Sequence, residues 1–311
     1  MARGTKKSKR IVLSLLGAFL ALLLIAEIGT YFGLPNWREL IDGPASLGHS
    51  SLPEGQLDVH FIDVGNADCI LVRQDDAAML IDAGERGDAE EIVSYLRKEK
   101  VEKLQLVIAT HPHADHIGSM ADVIEAFEID KFLMTFMPEE ETPTTKVYLD
   151  MLEALDAKDV PVTEVLPGDS FALGEAKVEI LAPIDEDDDP NAMSVVSRVS
   201  FGETAFLFMG DAEKAVEKDI LASGRPVKAD VLKVGHHGSK TGSTEAFLEA
   251  VSPEYAVLTC GVGNSYGHPH EEVLQRLSQH KVSVYRSDVN GTVRFISDGR
   301  IVVPGVEKRV G

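Results

Sequence analysis

Three histidines and an aspartate fall within six consecutive positions of the segment THPHADHIGS, which runs from Thr110 to Ser119. Imidazole and carboxylate groups bind divalent metals such as zinc, manganese or iron, and the whole chain has only ten histidines. His111 and His113 can turn toward one metal, whereas Asp115 and His116 can face a second. The preceding residues, LQLVIAT, are apolar and β-branched and predict a buried strand. The sequence therefore predicts a metal site at the carboxyl end of that strand.

Two further segments place polar groups directly after apolar, strand-like runs. Asp211 ends the segment AFLFMGD, where its carboxylate can bind a metal or cap the helix that follows. The segment LKVGHHGSKTGS ends another apolar run with His236 and His237 in front of a glycine. This pair of histidines indicates a second group of residues for metal or substrate.

The order of the elements predicts an α/β fold in two halves. Strand patterns cover Leu57–Val64, Asp68–Arg73 and Ala78–Asp82, and helical spacing follows over Asp88–Lys98. A second β-rich section precedes further helices, so we predict two sheets with helices on the outside. Segments 75–85 and 202–213 are also alike, as an internal duplication would make them, although hairpins share such features in general.

The N-terminal region is typical of a membrane-anchored protein. Residues 1–10 contain five basic residues and no acidic one, and residues 11–34 form an apolar run interrupted by Glu27. We predict a cytoplasmic tail over 1–10, a single transmembrane anchor over 11–34 and a linker over 35–55, followed by a folded domain over 56–311. A cleaved signal and a secreted protein are the alternative. The basic tail therefore predicts that the folded domain lies outside the cytoplasm.

The composition limits the partners and the redox chemistry of the chain. It has 51 acidic against 30 basic residues and a formal net charge of −21. Phosphate contacts need Lys and Arg, so this balance predicts a poor general binder of nucleic acid but allows a local basic groove. Cys69 and Cys260 are the two cysteines; buried free thiols are their more common state, and an oxidising compartment would let them pair. The sequence does not specify an oligomeric state.

The ordered set of motifs resembles the metallo-β-lactamase fold superfamily, and within it the hydrolase domain of ComEC-type competence DNA-uptake proteins and their stand-alone relatives. The likeness runs from about Leu57 to Ile301. The motifs that carry it are DVGNADCILV, LIDAG, THPHADHIG, the N-x-x-S of Asn191 and Ser194, FMGDAE, LKVGHHGS and NSYGHP. The resemblance implies a four-layer αββα sandwich and a pair of divalent metal ions.

Carried over residue by residue, the resemblance implies a ligand set for both metals. His111 and His113 would hold metal 1. Asp115, His116 and His237 would hold metal 2, and Asp211 would bridge the two. His237 is chosen over His236 because the residue before the glycine resembles the ligand position, which leaves His236 facing the substrate.

One departure concerns metal 1. Many superfamily members have a further histidine ligand between the first cluster and the bridging acid, but this chain has no histidine between His116 and His236. Asn191 and Ser194 fall in that interval, as in the ComEC-type group, so metal 1 should be held by fewer protein groups. The ligand set contains no thiolate, so zinc and manganese are both chemically reasonable.

Such a site suits hydrolysis by a bridging hydroxide. We expect a phosphodiesterase that acts on DNA, with competence-type machinery as its partner. One alternative is a hydrolase of a small or cell-wall phosphodiester, resembling phosphorylcholine esterases. The other is a non-catalytic interaction module. Asp115, His236 and His268 are the candidates for catalytic roles. The candidates for substrate contact are Asn191, Ser194, Ser239, Asn264 and Tyr266.

Overall fold

A computed structural model describes residues 45–46 and 55–307 of the chain. The chain divides into two compact units, Met1–Ser46 and Leu47–Gly311. In the first unit the described residues Ala45–Ser46 form a short strand, β1. The predicted tail and membrane segment, residues 1–34, lie outside the described residues, as does most of the predicted linker. Within the described ranges, no helix combines the length and the apolar character that crossing a bilayer requires.

The second unit is built on two large sheets. In chain order its strands are β2 (Leu57–Phe61), β3 (Ile70–Gln74), β4 (Ala77–Ile81), β5 (Lys103–Leu104), β6 (Leu106–Ile108), β7 (Glu128–Ile129), β8 (Phe132–Met134), β9 (Val162–Glu164), β10 (Ser170–Leu173), β11 (Ala176–Ala182), β12 (Val196–Phe201), β13 (Thr204–Phe208), β14 (Val231–Lys233), β15 (Tyr255–Leu258), β16 (Ser283–Arg286), β17 (Val293–Ser297) and β18 (Val302–Val306). The strands of this unit in the first sheet follow the order β18-β17-β2-β3-β4-β6-β8-β9, and the second sheet follows β10-β11-β12-β13-β14-β15-β16. Strands β5 and β7 pair separately.

Both sheets change from antiparallel to parallel pairing at equivalent strands. In the first sheet pairing is antiparallel up to β4 and parallel from β4 through β6 and β8 to β9. In the second sheet the change occurs at β13. Segments 75–85 and 202–213, which look alike in the sequence, contain β4 and β13. They therefore occupy corresponding places in the two halves.

Helices cover the outer face of each sheet. In chain order they are α1 (Ala89–Lys98), α2 (Ala114–Ile117), α3 (Met120–Ala126), α4 (Lys146–Ala157), α5 (Lys214–Ala222), α6 (Glu245–Val251), α7 (Glu271–Gln279) and α8 (Ser287–Asn290). Ile92 of α1 and Val123 of α3 share an apolar cluster with Leu80 of β4. Phe247 of α6 and Leu277 of α7 belong to the equivalent cluster on the second sheet.

A third apolar cluster joins the two sheets face to face. It contains Phe61 and Met79 from the first sheet and Val178, Phe206 and Phe208 from the second. Strands such as β4 and β13 are buried along their whole length, because one face meets the other sheet and the opposite face meets helices. This explains why they are continuous apolar runs in the sequence rather than alternating ones. The predicted αββα sandwich is confirmed.

Candidate metal centre

The first histidine cluster lies just beyond the carboxyl end of β6 and is held by a buried aspartate. Asp82, which follows β4, accepts hydrogen bonds from the Thr110 backbone N–H (2.8 Å) and the Thr110 hydroxyl (2.7 Å). The second oxygen of Asp82 also lies 2.7 Å from His116 Nδ1. Because Nδ1 of His116 donates to a carboxylate, its other ring nitrogen, Nε2, is free to bind a metal.

The second pair of histidines sits in a tight turn after β14. His236 and His237 have φ values of 49° and 51°, in the left-handed region, which costs about 1–3 kcal/mol for each residue. The turn is completed by Gly238 at φ +87°, where a Cβ atom would come within 2.5 Å of Leu258 Cδ2. His237 Nδ1 donates to the Thr259 carbonyl oxygen at 2.7 Å, so its Nε2 atom also remains available.

Four ligand atoms converge on one point between these two loops. Asp211 Oδ1 lies 3.2 Å from His116 Nε2 and 3.5 Å from His237 Nε2, and Asp115 Oδ2 lies 3.4 Å from His237 Nε2. Ligand atoms of all four residues lie within 4.8 Å of one another. We call this group the His116 side of the centre; it corresponds to the predicted metal 2.

The chemistry of the His116 side fits a divalent cation. His116 Nε2, His237 Nε2 and Asp211 Oδ1 are buried, and within the described part of the chain none of them has a hydrogen-bond partner. Buried polar atoms without partners are costly, at about 1–3 kcal/mol each. A cation bound by two imidazoles and two carboxylates would satisfy all of them together.

A second group, the His111 side, faces the other oxygen of Asp211. His111 Nε2 lies 3.9 Å from Asp211 Oδ2 and 3.0 Å from His113 Nδ1. His236 Nε2 lies 3.6 Å from the same Asp211 oxygen. The Asp211 carboxylate thus has one oxygen directed to each side, as a bridging ligand needs. The binding of an ion at each side stays a prediction.

The charges of the site reinforce one another. Burial opposes ionisation of Asp211, but the neighbouring His116 and His237 hold the pKa of this carboxyl well below its ordinary value. Burial likewise lowers the pKa of His116, yet Asp211 and Asp82 outweigh it and raise that pKa well above its ordinary value. The pKa of His237 is also raised, since Asp211, Asp115 and Asp68 outweigh the effect of burial. The negative charge of the surrounding carboxylates is therefore large enough to favour protons on His116 and His237, where a metal would bind.

The two sides open into one cleft of about 330 Å³. The residues that line it are Asn66, His113, Ala114, Asp115, Asn191, Asp211, His236, His237, Tyr266 and His268. Among the predicted substrate and catalytic residues, the cleft thus contains Asn191, Tyr266, Asp115, His236 and His268. Buried Nδ1 of His268 and Oδ1 of Asn191 have no hydrogen-bond partner in the described structure, so both can serve a ligand.

Three predicted substrate residues make other contacts. Ser194 is fully buried, and its hydroxyl oxygen accepts a hydrogen bond from the Asp211 backbone N–H at 3.1 Å. The Ser239 hydroxyl pairs with that of Thr241 at 2.7 Å. The Asn264 amide donates to the carbonyl oxygens of Gly261 and His268 and accepts from the His268 N–H. The polar atoms of these three residues are already hydrogen-bonded within the protein, so the residues stabilise the loops around the centre.

His268 differs from a proton donor in its ionisation. Burial, followed by the nearby His236 and His237, lowers its pKa to about 4. A cation bound in the same cleft would lower this pKa further by electrostatic repulsion. His268 is therefore neutral near pH 7 and suits a hydrogen-bonding contact with the substrate better than acid catalysis.

Sequence reasoning missed Asn66 and Glu213. Asn66 lines the cleft, and its buried Oδ1 has no partner within the described residues. Glu213 Oε1 lies 2.8 Å from His236 Nδ1 and so fixes the ring of that histidine. Both residues stand inside quoted motifs, DVGNADCILV and FMGDAE, but nothing in their spacing indicates a separate role. Cys69 and Cys260 are both buried free thiols.

Replacing Asp211 with alanine should remove metal binding and any hydrolytic activity together, because its carboxylate contacts both sides of the centre. Metal content after gel filtration and activity measured on the same sample provide the test. Asp122→Ala, which removes an exposed carboxylate from α3, is the matched control. Full metal occupancy in Asp211→Ala would contradict the bridging role.

Affinity for divalent metal should rise as the pH rises above about 6.5, the ordinary pKa of a histidine. The pKa values of His116 and His237 are raised above 6.5, so their rings keep a proton through that pH, and a binding metal must displace it. Calorimetric titration with Zn²⁺ or Mn²⁺ in buffers of different ionisation enthalpy measures the protons released. Affinity that is independent of pH, without proton release, would show that these histidines are not the ligands.

The comparisons with known proteins agree with this architecture. Over 213 residues the chain is 32% identical to ComE operon protein 3 of Bacillus subtilis (strain 168), which covers 68% of this chain and 27% of that protein. Over 279 residues it is 30% identical to competence protein ComA of Neisseria gonorrhoeae, covering 88% of this chain and 37% of that protein. The chain thus spans well under half the length of these curated relatives.

The fold has counterparts among solved structures. CmlA, a diiron beta-hydroxylase from Streptomyces venezuelae, aligns with a TM-score of 0.53 at 16% identity, over 78% of this chain and 54% of that chain. This likeness concerns the fold alone. Residues 62–262 match the metallo-beta-lactamase superfamily. The chain therefore belongs to the metallo-β-lactamase superfamily.

Proposed function

We propose that this protein is a metal-dependent phosphodiesterase that acts on nucleic acid, with DNA as the substrate. The observation that carries the proposal is a stack of rings that leads from the centre to solvent. The His237 and His268 rings are 6.4 Å apart at 24°, and the His268 and Tyr266 rings are 5.6 Å apart at 23°. Tyr266 is 67% exposed, so its outer face is open to a nucleobase.

The ligand set supports hydrolysis of a phosphodiester. Asp115, His116, Asp211 and His237 would hold one ion, and His111, His113 and Asp211 the other. When bound, such a pair of ions supplies a nucleophile at neutral pH and stabilises charge that develops on the attacked phosphoryl group. The His111 side offers fewer protein groups, which leaves room for a phosphate oxygen there.

His236 is placed to serve the reacting group. Its Nδ1 donates to Glu213 at 2.8 Å, which turns Nε2 toward the cleft and Asp211. A histidine held by a carboxylate in this way can donate a proton to the departing oxygen or a hydrogen bond to a phosphoryl oxygen. Asn66, Asn191 and His268 surround the same space and supply further polar contacts.

The contents of the cleft favour a nucleobase over a quaternary ammonium headgroup. Recognition of choline-like cations uses several aromatic faces around one cation. Apart from histidines, Tyr266 is the one aromatic residue among those described in the cleft lining. One relative is named a competence protein and another a ComE operon protein, which supports competence-type machinery as a partner. The resemblance to competence DNA-uptake proteins extends this proposal to DNA as the substrate class.

The direct test is hydrolysis by the purified full chain. With Mn²⁺ or Zn²⁺ added, we expect cleavage of single-stranded DNA and of bis-p-nitrophenyl phosphate, and no cleavage of either by Asp211→Ala. A chain that binds metal yet cleaves neither substrate would exclude a phosphodiesterase.

Tyr266→Ala should slow DNA cleavage by about 5- to 150-fold, since loss of base stacking costs about 1–3 kcal/mol. Tyr266→Phe should keep most of the rate because it preserves the ring. The two variants are compared on an oligonucleotide and on methyl p-nitrophenyl phosphate, which has no base; Val262→Ala, also exposed on this loop, is the control. A similar loss in Tyr266→Phe, or on both substrates, would contradict the stacking role.

The two adjacent histidines should behave differently on substitution. His237→Ala should weaken metal binding and turnover together, because its Nε2 belongs to the His116 side. His236→Ala should keep its metal and lose about 10²–10⁴-fold in rate. Metal content and rates on good and poor leaving groups are the measurements, with a smaller loss on good leaving groups if His236 acts as the acid. If His236→Ala loses its metal and His237→Ala retains it, then His236 is the metal ligand and His237 is the residue that serves the substrate.

A further inference from the structure

A completely buried ion pair lies directly behind the metal ligands. Lys233, at the end of β14, is 0% exposed, and its Nζ atom is 2.8 Å from Asp68 Oδ2. The same ammonium group donates to the Val234 carbonyl oxygen at 2.9 Å. Burying a lysine and an aspartate is expensive unless each is paired and hydrogen-bonded. Packing alone therefore does not account for this buried ion pair.

The other contacts of Asp68 lead to both ligand-bearing loops. Its Oδ1 atom accepts a short hydrogen bond from the Thr259 hydroxyl and lies 3.5 Å from His237 Nδ1. Thr259 supplies the carbonyl oxygen that His237 Nδ1 contacts at 2.7 Å. The Asp68 backbone N–H donates to the Asp115 carbonyl oxygen at 3.1 Å. Asp68 therefore contacts the surroundings of two candidate ligands of the His116 side, His237 and Asp115.

We propose that Asp68, neutralised by Lys233, is a positioning residue that orients His237 and Asp115 and thereby sets the metal affinity of the His116 side. Carboxylates behind a ligating histidine fix its ring and raise its basicity, and their loss weakens metal binding by about 10- to 100-fold. Asp68 reaches His237 partly through Thr259, so the three residues act as one unit.

The lysine explains why Asp68 supports the site rather than binding a metal itself. Ligand atoms of Asp68, Asp82 and His116 also lie within 4.8 Å of one another, deep behind the cleft. In that group, however, Asp82 is engaged by Thr110 and His116, and Asp68 is engaged by Lys233 and Thr259. Lys233 supplies the positive charge that a cation would otherwise bring.

The test is a metal titration of Asp68→Asn and Lys233→Met, made without substrate. The inference rests on the proposed metal centre, but not on the reaction it performs. In competition with a chelating dye, we expect one equivalent of Zn²⁺ to bind about 10- to 100-fold more weakly in each variant. The Co²⁺ absorption spectrum of that equivalent should change as well. Tm is recorded for every variant.

Asp58→Asn is the matched control. Asp58 is also fully buried, and both its oxygens accept hydrogen bonds from Arg294 at 2.7 Å, but its contacts are with Arg294 and His60 rather than with the ligands. This variant should lose stability and keep its metal affinity. Equal weakening of metal binding in Asp58→Asn and Asp68→Asn would reduce the effect to general destabilisation and overturn the inference.

Two further results separate the possible failures. Should Asp68→Asn fail to fold, Thr259→Val removes one link of the unit and should still weaken metal binding measurably; unchanged affinity would overturn the inference. Unchanged affinity in folded Asp68→Asn would overturn it directly. If the unmodified chain binds metal but hydrolyses no phosphodiester, the proposed function fails while the role of Asp68 stands.

Discussion

Four carboxylates, those of Asp68, Asp82, Asp115 and Asp211, lie around one small region of the protein, and their mutual repulsion governs what surrounds them. The two deeper ones are compensated by the protein itself. Asp82 receives hydrogen bonds from Thr110 and His116, and Asp68 is paired with Lys233. The two outer ones, Asp115 and Asp211, face imidazole nitrogens without other partners. The negative charge that remains is thus confined to the place where a metal can reach it.

The fold can gather these groups because its two halves repeat one arrangement. In each half an aspartate, Asp82 or Asp211, follows the strand β4 or β13, which pairs in parallel with β6 or β14, and histidines follow that neighbour. Packed face to face, the sheets bring both sets of strand ends to one edge. The two aspartates have different environments, since Asp82 contacts His116 from behind whereas Asp211 faces the cleft.

Much of the candidate ligand set could be predicted from the sequence because its members lie shortly after buried strands. His111, His113, Asp115 and His116 are close in the chain, so their proximity needs no tertiary information. The αββα layering also follows from strands that are apolar on both faces. Asp211 and His237 required the resemblance to known motifs, since nothing local shows that β13 and β14 end beside β6.

The roles of the other site residues could not be predicted from the sequence, because residue type does not show which groups a side chain contacts in the folded protein. Ser194, Ser239 and Asn264 carry suitable polar groups, but those groups are engaged in hydrogen bonds within the protein. Conversely, Lys233 looks like any polar residue near a strand end, and only tertiary packing shows that it is fully buried against Asp68. Glu213 was likewise missed because its partner, His236, comes from another loop, and Asn66 because only the folded structure places it in the cleft lining.

The acidity of the chain and a nucleic-acid substrate are compatible if binding is local. A net charge of −21 repels a polyanion over most of the surface, so few phosphates can contribute to affinity by releasing counterions. Attraction must then come from the metal centre itself and from ring stacking on Tyr266, both of which act over a few ångströms and at a single nucleotide. Such a site would bind a strand at an unpaired base, because the faces of a base within a duplex are covered by its neighbours and cannot contact Tyr266. If nucleic acid is the substrate, the acidic surface and the geometry of the cleft together predict a preference for single strands or frayed ends.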